Sequence, residues 1–205
     1  MIAGEFLFRM LFILSFCLVL LIRLYFGFRL KKERWSSWQV DEQAVAREGT
    51  AIIALRLAGF LLLLGAFVLY IDDPAWQQIL KIPFPAWVRT AGALLALVSI
   101  LLLAWTHAAL GRHWSTNLTI QEKHTLVTNG PYRFVRHPMY TALIGYFIGA
   151  GLLSAHLLLL LIFAAATVFL LTRTGREEAM MIESFGEAYL VYREHTGLLL
   201  PWLKR

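Results

Sequence analysis

Cysteine is all but missing from this chain: Cys17 stands alone, inside an apolar run. A single thiol there excludes both a disulfide framework and a thiolate metal site, and packs as a small hydrophobe. The six histidines show no metal-ligand spacing, so no metal is expected. Charge is scarce as well, at 16% of residues against 59% hydrophobic ones, and the mean hydropathy is +0.65. That balance, with apolar residues gathered in runs of membrane length, excludes a water-soluble globule and predicts an all-α integral membrane protein. The middles of those runs are almost purely Leu, Ala, Phe and Gly, which argues against a conducting pore. A formal charge of +6 would suggest nucleic acid in a soluble protein. Here the basic residues flank apolar runs, where headgroups and topology account for them, and no nucleic-acid partner is expected.

About five transmembrane helices are predicted. The first covers Phe6 to Phe28 and carries Arg9 and Arg23; it lacks a small-residue cleavage site and is longer than a signal-peptide core, so it is expected to stay. Arg29, Lys31, Lys32 and Arg34 mark its cytoplasmic end, and Trp35 to Gly49 reads as an interfacial loop. The second runs from Thr50 to Ile71, with Arg56 near its start, where a long side chain usually snorkels to the interface. Asp72-Asp73-Pro74 ends it, and an outer connection leads to Pro85. The third spans Ala86 to Leu110, its late Trp105 and His107 approaching the polar stretch that follows. Met139–Leu153 and Leu157–Leu171 are each short of the roughly twenty residues a crossing helix needs, which leaves either a tight spanning hairpin or a re-entrant pair. Gly145 and Gly149 allow close helix packing, and His156 at the hairpin tip is expected to be solvated. Basic residues concentrate on one face, which predicts the N-terminus outside and the C-terminus in the cytoplasm.

Polar chemistry concentrates between Lys123 and Tyr140. Strand-like Leu126-Val127-Thr128 leads in, Asn129-Gly130-Pro131 turns sharply, and Tyr132 to Arg136 leads out. His137 is pushed toward extended geometry by Pro138, which suits the first position of a helix. The amides of that helix would face His124, Tyr132, Arg136 and His137 and favour an anionic group. In the tail, Glu178, Ile182, Phe185, Tyr189 and Tyr192 recur at helical spacing and give a packing face. Arg173 and Glu177 share another face, as an ordinary ion pair or as part of a site where the last span leaves the membrane. Gly186 is expected to break the helix.

Gly130-Pro-Tyr132, Arg136-His-Pro-Met-Tyr140, Glu177-Glu178, Phe185-Gly-Glu-Ala-Tyr189-Leu-Val-Tyr192 and Pro201, in that order, resemble the isoprenylcysteine carboxyl methyltransferase family, within a broader group of membrane methyltransferases that includes phospholipid N-methyltransferases. The likeness covers about Leu110 to Pro201. It implies one membrane-embedded domain over 1–205, with variable membrane helices in 1–110 and the cofactor-binding and catalytic part in 111–205. It also implies S-adenosylmethionine held in a cytosolic pocket between the loop before helix 4 and a C-terminal amphipathic helix. No Gly-x-Gly-x-x-Gly follows a strand here, so the cofactor must be held without that loop.

By matching motif positions, the resemblance assigns Asn117, His124, Thr125, Leu126, Val127, Tyr132, Arg136, His137, Pro138, Met139 and Tyr140 to the cofactor, and Arg173 and Glu177 to the acceptor. The sulfonium already activates the methyl group, so in-line placement and exclusion of water suffice. A carboxylate acceptor needs no base, and Arg173 could hold it in a fork of two hydrogen bonds while Glu177 orients the arginine. A phospholipid amine must lose a proton, to Glu177 or His137. The expected partner is a lipophilic or lipidated acceptor, the carboxylate of a prenylcysteine-like molecule first, among membrane lipids. A phospholipid amine, a nicotinamide-dependent membrane reductase of related fold and a scaffold using the tail for docking remain alternatives.

Overall fold

The apolar runs become helices because a backbone in hydrocarbon must satisfy its own hydrogen bonds. The structure, a computed structural model, describes residues 2–32, 49–111 and 126–201. The described residues form six α-helices in order: α1 Ile2–Lys32, α2 Thr50–Asp72, α3 Ala86–Leu110, α4 Pro138–Ser154, α5 Leu157–Phe185 and α6 Glu187–His195. Short 3-10 turns lie at Ala75–Leu80 and Gly130–Arg133. Among the described residues there is no strand, only isolated bridges between Lys81 and His156 and between Val135 and Gly197. Four helices, α1, α2, α3 and α5, are long and apolar enough to cross a membrane. With 17 residues, α4 reaches about 25 Å at 1.5 Å per residue, short of a hydrocarbon layer of about 30 Å.

The central pair is α3 against α4, brought together by glycine. A Cβ on Gly149 would lie 2.6 Å from the Ala96 nitrogen and 2.7 Å from the Gly92 carbonyl, and one on Gly92 would lie 2.8 Å from the Leu153 nitrogen. Backbone therefore meets backbone, as small residues permit in membrane helices. Around this pair α1 and α2 interlock through aromatics, with Phe16 stacked on Phe67 at 4.0 Å and Phe12 edge-on to Tyr70 at 4.8 Å. Tyr146, Leu159 and Phe163 complete the buried cluster.

Charged groups lock the end of the bundle where α1 begins. Asp73 accepts from Arg9 at 3.0 Å and from Lys81 at 3.1 Å. Arg89, only 5% exposed, donates to the Leu153 carbonyl at 3.0 Å, pairs with Glu5 and lies over the Phe8 ring.

Two expectations are corrected here. His156 is not solvated: at 2% exposure it lies edge-on to Tyr70, covered by the outer connection, whose Ile82 amide bonds the Ala155 carbonyl at 2.8 Å. Burial and the nearby Lys81 hold its pKa below the ordinary range. The last span runs unbroken through Thr172 to Phe185, and the break expected at Gly186 is there, with φ 52° between α5 and α6. Leu126-Val127-Thr128 is irregular rather than strand, for no partner strand lies beside it among the described residues. The interfacial loop foreseen from Trp35 lies almost wholly outside the described residues.

Candidate functional site

At the other end of the bundle, a compact turn sets the entry to α4. Gly130 has φ 59°, and a Cβ there would stand 3.0 Å from the Ala109 Cβ and 3.6 Å from Trp105 Nε1, so both conformation and space ask for glycine. His107, by contrast, is buried with its ring stacked on Phe26 at 5.0 Å. His137 caps α4 in a non-helical conformation, and Pro138 occupies its first turn, as expected for a residue preceding proline.

A strap from the C-terminal segment binds this turn. The Arg136 amide donates to the Gly197 carbonyl at 2.8 Å and the His137 amide to the Leu198 carbonyl at 3.1 Å. Thr141 Oγ1 donates to the Leu199 carbonyl at 2.6 Å and the Tyr192 hydroxyl to the Tyr132 carbonyl at 2.6 Å. Burial lifts the hydroxyl pKa values of Tyr132, Tyr189 and Tyr192, the last to about 12, and keeps these groups neutral.

Two neighbouring acids on α5 then divide the polar end between them. Successive helical residues diverge by about 100°, so Glu177 and Glu178 face different partners. Glu177 Oε1 faces Arg173 Nε at 3.2 Å and accepts from the Tyr140 hydroxyl. Glu178 Oε1 accepts from Arg136 Nε at 2.6 Å and from the Tyr189 hydroxyl at 3.3 Å. His137 sits between them, Nδ1 3.4 Å from Glu177 Oε2 and Nε2 3.6 Å from Glu178 Oε1, its ring stacked on Tyr140. A carboxylate at each ring nitrogen suits the imidazolium, which alone donates from both. Burial lowers the His137 pKa, but the hydrogen bonds and charges of Glu177 and Glu178 outweigh it and raise the net value.

That raised pKa fixes a pH dependence. A group whose folded pKa exceeds the unfolded one contributes stability that is complete below the unfolded pKa and lost as pH rises through the folded one. Melting in detergent should therefore fall more steeply above about pH 6.5 for the wild type than for His137→Gln. Parallel pH profiles for the two would refute the imidazolium.

Of the expected site residues, Tyr140, His137, Arg173 and Glu177 come together. Arg136 is drawn away to Glu178 and to the carbonyls of Arg193 and Thr196, so its guanidinium secures the strap. Tyr132 and Pro138 are buried, Met139 packs toward Leu103 and Ala142, and Leu126 and Val127 are half-buried. Asn117, His124 and Thr125 lie outside the described residues. Residue types give Glu178 a packing face and a place in the Glu177-Glu178 motif, but not its bond to Arg136, nor the backbone carbonyls of the strap. Adjacent acids at the polar end of a membrane helix are the signal that points to Glu178; backbone acceptors leave no trace in residue types.

Fold and polar end together define a class: an all-helical integral membrane protein carrying a clustered Arg, His, Tyr and Glu site where a long helix leaves its apolar stretch. Residues 92–183 match the isoprenylcysteine carboxyl methyltransferase (ICMT) family. The protein-S-isoprenylcysteine O-methyltransferase of Rattus norvegicus is 28% identical over 137 residues, 65% of this chain and 47% of the relative. Methanethiol S-methyltransferase 1 of Bradyrhizobium diazoefficiens is 26% identical over 185 residues, 84% of this chain and 61% of the relative. A solved structure of a eukaryotic intramembrane Ras methyltransferase, ICMT, superposes with a TM-score of 0.52 at 22% identity, covering 72% of this chain and 50% of that one, and shares the fold. The chain thus spans about half the length of the rat relative and of the solved structure.

Proposed function

We propose that this chain is an S-adenosylmethionine-dependent membrane methyltransferase acting on the carboxylate of a lipophilic, prenylcysteine-like acceptor. The observation that carries the reading is the Arg173 and Glu177 pair: Nε and Oε1 are 3.2 Å apart and the arginine side chain is 11% exposed, one helical stretch beyond the apolar half of α5. Beside the Glu177 carboxylate, the guanidinium is a cation at headgroup depth, suited to align an anionic nucleophile.

The residues present fit the cofactor chemically. S-adenosylmethionine supplies a methyl group already activated on a sulfonium. Glu177 offers a carboxylate to the cationic part of such a molecule, and the aromatic ring of Tyr140 offers a face to the same cation. Tyr140 keeps Glu177 in place, and the strap holds the loop that carries His137.

A thiolate acceptor is the second reading, favoured by the match over most of this chain to a methanethiol S-methyltransferase. It asks the same of Arg173, since a thiolate is also an anion. We also place the site on the cytoplasmic face with the N-terminus outside, on the weight of the basic residues at that end. External cysteine labelling of intact cells should then succeed at position 81 and fail at 193.

The deciding experiment is equilibrium binding of S-adenosylhomocysteine against NADPH in detergent, followed by transfer of labelled methyl to N-acetyl-S-farnesylcysteine, a thiol and phosphatidylethanolamine. Binding of NADPH alone would sink the methyltransferase. Methylation of the phospholipid alone would sink the carboxylate.

A further inference from the structure

The strap that binds the α4 entry also descends along it. Its bridge to Val135 is parallel, so the residues after Gly197 run the same way as the segment leading into α4, which itself runs from the polar end toward the opposite face. The bonds step down in the same direction. The Gly197 carbonyl meets the Arg136 amide, the Leu198 carbonyl meets the His137 amide, and the Leu199 carbonyl meets the Thr141 hydroxyl, one helical turn further in. Depth can be read against α5. Tyr140 bonds Glu177, which lies about 9 Å past Leu171, the end of the apolar run, at 1.5 Å per residue. A headgroup layer is about 5–8 Å thick on each side. Tyr140 therefore stands at its outer edge, and the strap beyond Leu199 passes into it.

What the strap presents at that depth is apolar. Leu198 is 37% exposed and Leu200 75%, although Thr196 and Gly197 just before them are buried. Phe134, whose carbonyl accepts from the Gly197 amide, is half-exposed beneath the Arg133 guanidinium. The sequence goes on as Trp202-Leu203-Lys204-Arg205, an aromatic and two cations of the kind that gather at headgroups, and residues 196–205 contain no acid. We propose that the strap is an interfacial anchor: Leu198 and Leu200 seat in the boundary between headgroups and acyl chains of the leaflet beside the site, with anionic headgroups as preferred neighbours. The bilayer then holds the strap against the loop that carries His137. The partner is the lipid leaflet, and the inference does not rest on methyl transfer.

The test uses the whole chain in nanodiscs of phosphatidylcholine and phosphatidylglycerol. In a Cys17→Ala background, nitroxides are attached at Leu200→Cys, at Glu183→Cys on the exposed end of α5 and at Leu161→Cys in its apolar half. Collision with oxygen relative to a nickel chelate reports depth. Position 200 should fall between the other two. A label there as open to the chelate as the one at 183 would overturn the anchor.

Hydrogen exchange reads the consequence. The Arg136 and His137 amides, bonded to the Gly197 and Leu198 carbonyls, exchange when the strap lifts. Leu200→Glu and Leu200→Ser should speed exchange at both on the order of tenfold, the equivalent of one leucine's burial, and leave the amides of α5 as in wild type. Leu200→Met should keep the wild-type rates. Replacing phosphatidylglycerol by phosphatidylcholine should also speed exchange in the wild type, by a smaller factor. Neither readout needs a cofactor, so failure of the methyltransferase reading would leave this test intact. Rates indifferent both to Leu200→Glu and to lipid charge would overturn the proposal, and protection that rises with the number of chains per nanodisc would assign the leucines to a second copy instead.

Discussion

Arg173→Lys is expected to lose on the order of 100-fold in methyl transfer to a carboxylate acceptor, with affinity for S-adenosylhomocysteine nearly unchanged. Lysine keeps the positive charge, so an effect of charge alone would be small. What it removes is the planar fork and the Nε that faces Glu177 at 3.2 Å. The Tyr140 hydroxyl and His137 would still hold Glu177, so the carboxylate itself should stay where it is. Loss of orientation without loss of structure should appear in kcat rather than in cofactor binding. Single-turnover transfer of labelled methyl to N-acetyl-S-farnesylcysteine, beside calorimetry with S-adenosylhomocysteine, makes the comparison. A variant within threefold of wild type on the carboxylate would show that the fork is not used. An amine acceptor, which a fixed cation repels, should be far less sensitive to the change.

The second large effect lies in the α3–α4 seam. Gly149→Ala places a methyl group 2.6 Å from the Ala96 backbone nitrogen, so the clash cannot be relieved by turning a side chain. The helices must separate, at a cost of about 1–3 kcal/mol for an overpacked core, and Gly149→Leu should exceed that. Separation displaces α4, which is capped by His137 and begins at Pro138, so cofactor binding should weaken along with stability. Gly65→Ala on α2 is the control: nothing lies within 4 Å of its added methyl group, and alanine is the better helix former. Thermal unfolding in detergent should separate Gly149→Ala from wild type and leave Gly65→Ala level or slightly above. Equal melting of all three would mean that the close approach contributes nothing.

Where local chemistry decides, residue types alone located the structure. The α2 and α3 helices begin and end within a residue or two of the apolar runs because Pro85, Gly111 and Asp72-Asp73-Pro74 leave no choice. Pro138 likewise fixes the start of α4, and Gly186 the break before α6. Chain packing decides the remainder. His156 reads as polar and terminal, and only the fold of the 74–85 connection over the hairpin buries it. Glu178 and Arg136 were legible as charged, but their pairing spans forty-two positions and depends on α5 passing beside the α4 entry.

The unbroken course of α5 makes the site a lever. Its 29 residues extend about 43 Å, while hydrocarbon spans about 30 Å, so the polar end stands clear of the membrane on the same rod that crosses it. Arg173 and Glu177 ride on that rod, whereas His137 and Tyr140 belong to the shorter α4, which is clamped to α3. A tilt of α5 by about 10° to match a thinner bilayer would swing a 13 Å overhang by roughly 2 Å, enough to break a hydrogen bond. Bilayer thickness thereby acts on the separation between the two halves of the site.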